Sequence, residues 1–238
     1  MKPLGIKNYG HIPHLPGSRL GTGDHTCNPG QAKIATQKLR DNQDRVIVQE
    51  KLDGSNVGVA LLNGKLYPLV RSGYVANSSP YEQHQYFYQW VWLHEDRFRK
   101  VLREGERLIG EWLLQAHGTR YQLPHEPFVA FDLMQGNRRA SYAEFSDRVS
   151  PFFTIPRLIH HGGAFSISAA VKAISISGHG AIDPVEGAIW RVERSSKFDF
   201  VCKFVHHFKQ DGIYLPETYG QAVWNMNPKK LLSNIPSQ

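Results

Sequence analysis

The sequence predicts an α+β fold with mainly antiparallel strands, and three observations carry that expectation. Asn63-Gly64 lies between two apolar runs, the strongest short-range signal for a hairpin. From Arg45 onward, hairpin-like segments are mixed with amphipathic stretches, which disfavours a parallel βαβ array. The 238 residues are 41% hydrophobic, 11% aromatic and 21% charged, a composition that supports a sizeable core and excludes a disordered chain.

Taken in order, the first 43 residues read as loop, punctuated by Gly17, Gly21, Gly23 and Gly30 and by Pro13, Pro16 and Pro29. Val46, Ile47 and Val48 begin a strand that runs into Glu50-Lys51. Segments 55–62 and 65–70 then flank the Asn-Gly turn. Ser79-Pro80-Tyr81-Glu82 predicts a helix start, with Ser79 as N-cap, Pro80 at the first helical position and Glu82 closing a capping box. Phe87, Trp90, Val91, His94, Phe98, Val101 and Leu102 continue that helix to Gly105. This aromatic stripe, His94 included, reads as core packing. Further strands are expected at 107–113, 128–134, 187–193 and 198–205, with a short helix after Ser141 and another over 168–176, before Gly178.

Lys and Arg number 28 against 21 Asp and Glu, giving +7 with twelve histidines neutral, and a pI near 9.4. That balance fits a polyanionic partner (nucleic acid, nucleotide or membrane surface) and says nothing about fold. Cys27 and Cys202 lie far apart without a CxxC pair, so neither a disulfide framework nor a cysteine zinc site is expected, and a reducing cytosol is the default. The N-terminus has no signal-peptide core, and no run approaches the roughly 18 apolar residues that cross a bilayer. A soluble, cytoplasmic chain with no membrane partner is the expectation.

Chemistry concentrates in Glu50-Lys51-Leu52-Asp53-Gly54-Ser55-Asn56. A lysine at a strand end, before a glycine turn, projects its amine into a cleft. Near other cations or in a dry pocket that amine has a lowered pKa and becomes a nucleophile. The Lys-x-Asp-Gly pattern alone is weak, and an ordinary strand-turn lysine accounts for it. Five further elements follow in order. Arg71-Ser72-Gly73 ends the second hairpin strand; Gly110-Glu111-Trp112 places a carboxylate in a strand; Phe131-Asp132 lies in another. Glu186-Gly187 precedes a strand, and Lys203 stands within 200–204. Isolated carboxylates such as Glu111 and Glu186 in apolar strand text need a reason to be there.

Together the strings EKLDGSN, RSG, GEW, AFD, EGAIWR and VCKF resemble the ordered motifs of the covalent nucleotidyltransferase superfamily, which comprises polynucleotide ligases and mRNA capping enzymes. The resemblance is closest to the RNA ligase 2-like branch and covers residues 46 to 205. Residues 13–19, Pro-His-Leu-Pro-Gly-Ser-Arg, also look like the lead-in of bacterial and phage members. The resemblance implies a nucleotidyltransferase (ATP-grasp-like) domain whose two mainly antiparallel sheets form a nucleotide cleft, with helices outside. It implies one domain over 1–238: a loop-rich lead-in to residue 43, a catalytic core at 44–205, and a short tail at 206–238 without an OB-fold.

The activity so implied is ATP-dependent RNA ligation. Lys51 attacks the α-phosphate of ATP and forms lysyl–AMP; AMP passes to an RNA 5′-phosphate; a 3′-hydroxyl then displaces it. Glu50 is expected at the adenine edge, by its side chain or adjacent backbone, and Phe131 is expected to stack on the purine. Arg71 suits a ribose or phosphate contact through its bidentate fork. Glu111 accepts from ribose hydroxyls, Asn56 serves the later ligation steps, and Asp132 belongs to the nucleotide site or orients its neighbours. Glu186 places Mg²⁺ or Mn²⁺. Lys203 neutralises the α-phosphate and lowers the Lys51 pKa by like-charge repulsion.

Two departures from the family pattern stand out. Valine at position 201 replaces a second lysine, so that one phosphate contact is either lost or supplied by another residue such as Lys197 or Lys209, and the short tail leaves room for a helper protein that grips RNA. A DNA ligase or capping-type guanylyltransferase is the enzyme alternative. A nucleic-acid-binding pseudoenzyme or repair-complex subunit is the non-enzyme one, opposed by the intact nucleophile and carboxylates. The glycine-rich run 17–24 lacks the Gly-Lys-Ser/Thr of a P-loop, although Arg19 there is a candidate phosphate contact. The histidines His11, His14, His25, His160, His161, His206 and His207 match no zinc spacing. Tyr81, Tyr86 and Tyr121 are candidates for an RNA path.

Overall fold

The computed structural model describes residues 1–232 and contains two antiparallel sheets. Its strands are β1 (Asp44–Lys51), β2 (Ser55–Leu62), β3 (Lys65–Val70), β4 (Glu106–Trp112), β5 (Phe128–Gln135), β6 (Arg138–Arg139), β7 (Leu158–Gly162), β8 (Gly187–Arg194) and β9 (Lys197–Val205). One sheet has the order β7-β1-β8-β9, the other β3-β2-β4-β5-β6. The helices are α1 (Pro29–Thr36), α2 (Glu82–Leu93), α3 (Glu95–Val101), α4 (Tyr142–Val149), α5 (Ile167–Ala173), α6 (Pro216–Tyr219) and α7 (Pro228–Leu232). No helix among the described residues is long and apolar enough to cross a membrane.

The Asn63-Gly64 turn forms as expected, with φ of 50° and 71°, the left-handed pair that a two-residue hairpin needs. The expected helix at 80–102 differs in two ways. Its N-cap is Tyr81, without a side-chain cap bond, while Ser79 Oγ accepts from Tyr81 N at 3.3 Å and lies 2.6 Å from Nδ1 of buried His84. It also divides at His94. The imidazole Nδ1 lies 2.8 Å from the Trp90 carbonyl, taking the acceptor that a continuing helix would use, while Nε2 lies 3.1 Å from Glu126. His94 still packs as expected, stacked on Trp90 at 4.4 Å.

Sequence reading misses α1 and β7. Asn28 caps α1, accepting from Gly30 N at 2.8 Å while its own N–H donates to Gln31 at 3.3 Å, a capping box hidden among prolines and glycines. Strand β7 is a half-exposed edge beside β1, disguised by His160-His161-Gly162. Helices α4 and α5 start at Ser141 and Ser166, whose hydroxyls accept from Glu144 N and Ala169 N, both at 3.2 Å.

Two cores back the two sheets. Phe87, Trp90 and Phe98 of α2 and α3 pack with Trp112 and Phe128 of the five-stranded sheet and Phe145 of α4, all fully buried. Each such ring contributes about 1.5–3 kcal/mol by burial. Val46, Val48, Trp190 and Val192 of the four-stranded sheet pack with Ala32 and Ala35 of α1 and Ala170 of α5. Cys27 and Cys202 lie in this second core, both free. Ile47 faces the first core while its neighbours face the second, the alternation of a strand buried on both sides.

Candidate active site

The sheets approach each other where β1 passes into β2 through Leu52-Asp53-Gly54. Gly54 is required there: a Cβ would lie 2.5 Å from the Trp112 carbonyl. Glu50, Lys51, Asn56, Arg71, Glu111, Phe131, Asp132 and Lys203, eight of the residues singled out from sequence, line one cavity between the sheets. Glu186 joins them through its ion pair with Lys51.

Register explains these placements. Lys51, the last residue of β1, pairs with Gly187, so Glu186 falls beside it. Asn56 of β2 is opposite Glu111 of β4, and Glu111 accepts from Gly54 N at 3.1 Å. Phe131 is the extra residue of a β-bulge: Ile109 pairs with Asp132, but Gly110 pairs with Ala130. A bulge re-aims its side chain, and the Phe131 ring turns to the cavity, edge-on to Tyr9 at 5.2 Å.

Electrostatics correct one expectation. Burial alone would push the Lys51 pKa down, yet the carboxylates of Glu186, Glu111 and Asp53 outweigh it and hold the ammonium above the usual lysine range. The Lys51 amine also donates to Leu52 O at 3.1 Å. Like-charge depression falls instead on Lys203, lowered by burial and by Lys51. Burial raises both Glu111 and Glu186 to about 7, against the opposing pull of Lys51.

Several side chains are committed to the scaffold. The Glu50 carboxylate accepts from Ser177 Oγ at 2.6 Å and Gly178 N at 2.7 Å, leaving the adjacent backbone as the open part of the adenine expectation. Asp132 is ion-paired with Arg139 and with Arg191, at 3.3 Å to the latter, and accepts from Tyr9 OH at 3.3 Å. Asp53 accepts from Gly118 N and Thr119 Oγ1 at 3.0 and 2.9 Å.

The substitutes expected for a lysine at 201 do not reach the cavity. Lys209 is buried, donating to Gly118 O, Thr119 Oγ1 and Pro184 O at 3.0, 2.6 and 3.0 Å, and Lys197 lines a separate depression beside Arg138. Arg139 and Arg191 line the cavity instead, together with Tyr9. Sequence reading missed all three; Arg191 stood within the EGAIWR string without an assigned part.

A wider groove opens from the cavity, sharing Tyr9, Lys51, Asn56, Arg71 and Glu111 with it and adding Lys7, His11, Ser55, Tyr74, Tyr81 and His84. Of the tyrosines expected on an RNA path, Tyr81 lines this groove. Tyr86 packs edge-on to Trp224 at 5.7 Å, and buried Tyr121 accepts from Asp53 N at 3.0 Å. Arg19 is ion-paired with Asp211 at 3.0 Å. Among the described residues no group of three or more His, Cys, Asp or Glu forms a metal cage.

Two antiparallel sheets meeting over a strand-end lysine, with carboxylates from both sheets and an aromatic bulge between them, define a nucleotidyltransferase domain. Residues 44–209 match the RNA ligase family, and the chain belongs to that family. Among solved structures, an archaeal ATP-dependent RNA ligase is similar with TM-score 0.52 and 18% identity, over 84% of this chain and 48% of that one. A variant of the Naegleria gruberi RNA ligase solved with ATP and Mn is similar with TM-score 0.54 and 12% identity, over 84% of this chain and 61% of that one. The chain thus spans about half the length of the archaeal protein. No curated protein sequence matches it.

Proposed function

We propose that the chain is an ATP-dependent RNA ligase that carries AMP covalently on Lys51. One observation carries this reading: the Lys51 amine projects into a cavity whose walls hold an aromatic ring, carboxylates and cations, contributed by both sheets. In such chemistry the protein mostly positions groups and neutralises charge.

In the first step Phe131 stacks the purine and Glu111 accepts from the ribose. Arg71 and Lys203 flank the phosphates; Lys51 Nζ gives up its ammonium proton to solvent, attacks the α-phosphate as the neutral amine, and pyrophosphate leaves. The AMP then passes to an RNA 5′-phosphate lying in the groove beside Asn56 and Arg71, and a 3′-hydroxyl displaces it. A single buried carboxylate at Glu186 fits Mg²⁺ or Mn²⁺, because Mg²⁺ keeps several waters and shares phosphate oxygens. Glu186 would hold the ion, which when bound supplies neutralisation of the triphosphate.

Native protein and Lys51→Ala, incubated with α-labelled ATP or GTP and Mg²⁺, test the reading on a denaturing gel. An ATP-derived adduct on native protein alone is expected. A GTP adduct would shift the assignment to capping chemistry, and no adduct after stripping bound AMP would sink it.

A further inference from the structure

The N-terminal strap closes one wall of the cavity. It lies along the outer edge of β9, with Lys203 N donating to Pro13 O at 3.0 Å and Leu15 N donating to Lys203 O at 2.7 Å. Arg19 N donates to Val205 O at 2.9 Å, and Val205 N donates to Ser18 Oγ at 2.9 Å. The residue that answers Lys203 from across this ladder is Asp24, whose Oδ1 lies 3.6 Å from Lys203 Nζ.

Asp24 is itself held in place. Its Oδ2 accepts from Gly21 N at 3.0 Å and lies 3.0 Å from Nε2 of His14. His14 is 1% exposed, with Nδ1 2.7 Å from Ser18 Oγ. Backbone bonds fix the ring from both sides: His14 N donates to His25 O, and Cys27 N donates to His14 O, each at 2.8 Å. The buried imidazole thus keeps Nε2 in a 3.0 Å ion contact with the carboxylate rather than in a hydrogen bond.

We propose that Asp24, braced by His14, is a positioning residue that aims the Lys203 ammonium at the α-phosphate during lysyl–AMP formation. The inference rests on the ligase reading above. Valine at 201 makes the need concrete, since Lys203 is then the lysine that β9 presents to the cavity. Lys203 lies among Lys51, Arg71 and Glu186. Without Asp24, its flexible stem is free to swing toward Glu186, the carboxylate that Lys51 already occupies. Asp24 offers Lys203 an anion other than the Glu186 carboxylate paired with Lys51.

A double-mutant cycle over Asp24→Asn and Lys203→Ala tests this, scored as the rate of Lys51–AMP formation at saturating ATP. Asp24→Asn is expected to lower kcat about tenfold with KM for ATP within threefold, and Asp24→Glu to recover most of the loss. In the Lys203→Ala background the same change should cost less than twofold. Equal losses in both backgrounds, or an Asp24→Asn protein as fast as native, would overturn the proposal. The cycle compares rates per folded molecule, counted by thermal unfolding of each variant. If native protein forms no adduct, the ligase reading fails instead, which separates the two.

Discussion

The Lys51 ammonium and the Glu186 carboxylate are ion-paired across 135 residues of sequence, at the point where β1 meets the start of β8. The pair joins the proposed nucleophile to the residue proposed to hold its metal. Glu186→Ala is therefore expected to reduce adduct formation about 100-fold or more, read as labelled protein per minute. Native activity with native metal dependence in that variant would remove Glu186 from the site.

Phe131 owes its position to a bulge, so its ring can be deleted without opening a strand pairing. Phe131→Ala should weaken ATP binding about 10- to 100-fold by calorimetry, the loss of about 1–3 kcal/mol of base stacking. Phe131→Trp should retain most of the affinity. Unchanged affinity in the alanine variant would show the ring to be scaffold.

Gly187 permits β9 to lie close beside β8: a Cβ there would sit 1.8 Å from the Phe204 carbonyl. Because the obstacle is backbone, Gly187→Ala should cost more than about 3 kcal/mol in urea unfolding. Adduct formation should fall with it, since Glu186 is the preceding residue.

His84 is buried between Ser55 Oγ at 2.7 Å and Ser79 Oγ at 2.6 Å, and burial, then His117, lowers its pKa to about 4. The unfolded chain takes up this proton first, near pH 6.5. The stability from a neutral His84 is therefore complete above about pH 6.5 and is lost as pH falls toward 4, by about 2 kcal/mol at pH 5. His179, lowered to about 4 chiefly by burial, adds a similar loss. Urea unfolding at pH 7 and pH 5 should show a smaller difference for His84→Asn than for native protein.

The groove beyond Lys51 carries Lys7, His11 and Arg71. RNA affinity should fall steeply with salt, and Arg71→Ala should reduce the log–log slope by about 1. Lys51–AMP formation should fall less with salt. Equal salt sensitivity of the two would contradict this division between groove and cavity.

Most strand boundaries were legible because hairpin chemistry is local: the sequence-read limits of β2 and β3 match the observed ones, and those of β1, β4, β5, β8 and β9 shift by one or two residues, whereas β6 and β7 are not read at all. The site elements were legible through their order along the chain. What stayed hidden depends on distant partners. The split at His94 needs Glu126, the direction of the Lys51 shift needs Glu186 and Glu111 from other segments beside the local Asp53, and Asp24 gains its contact with Lys203 only when the strap lies on β9. Lys209 stands in the sequence as a candidate phosphate contact because sequence cannot show the Gly118 and Pro184 carbonyls that enclose it.

The two sheets also differ in when they can be made. The five-stranded sheet is complete, in chain order, by Arg139. Strand β1, which carries the lysine, emerges before any of it but pairs with β7 and β8, whose residues follow more than a hundred positions later. During vectorial synthesis β1 must wait, edges open, while a neighbouring sheet forms beside it. The proposed nucleophile would then be among the first chemistry-bearing groups translated and among the last to find its setting.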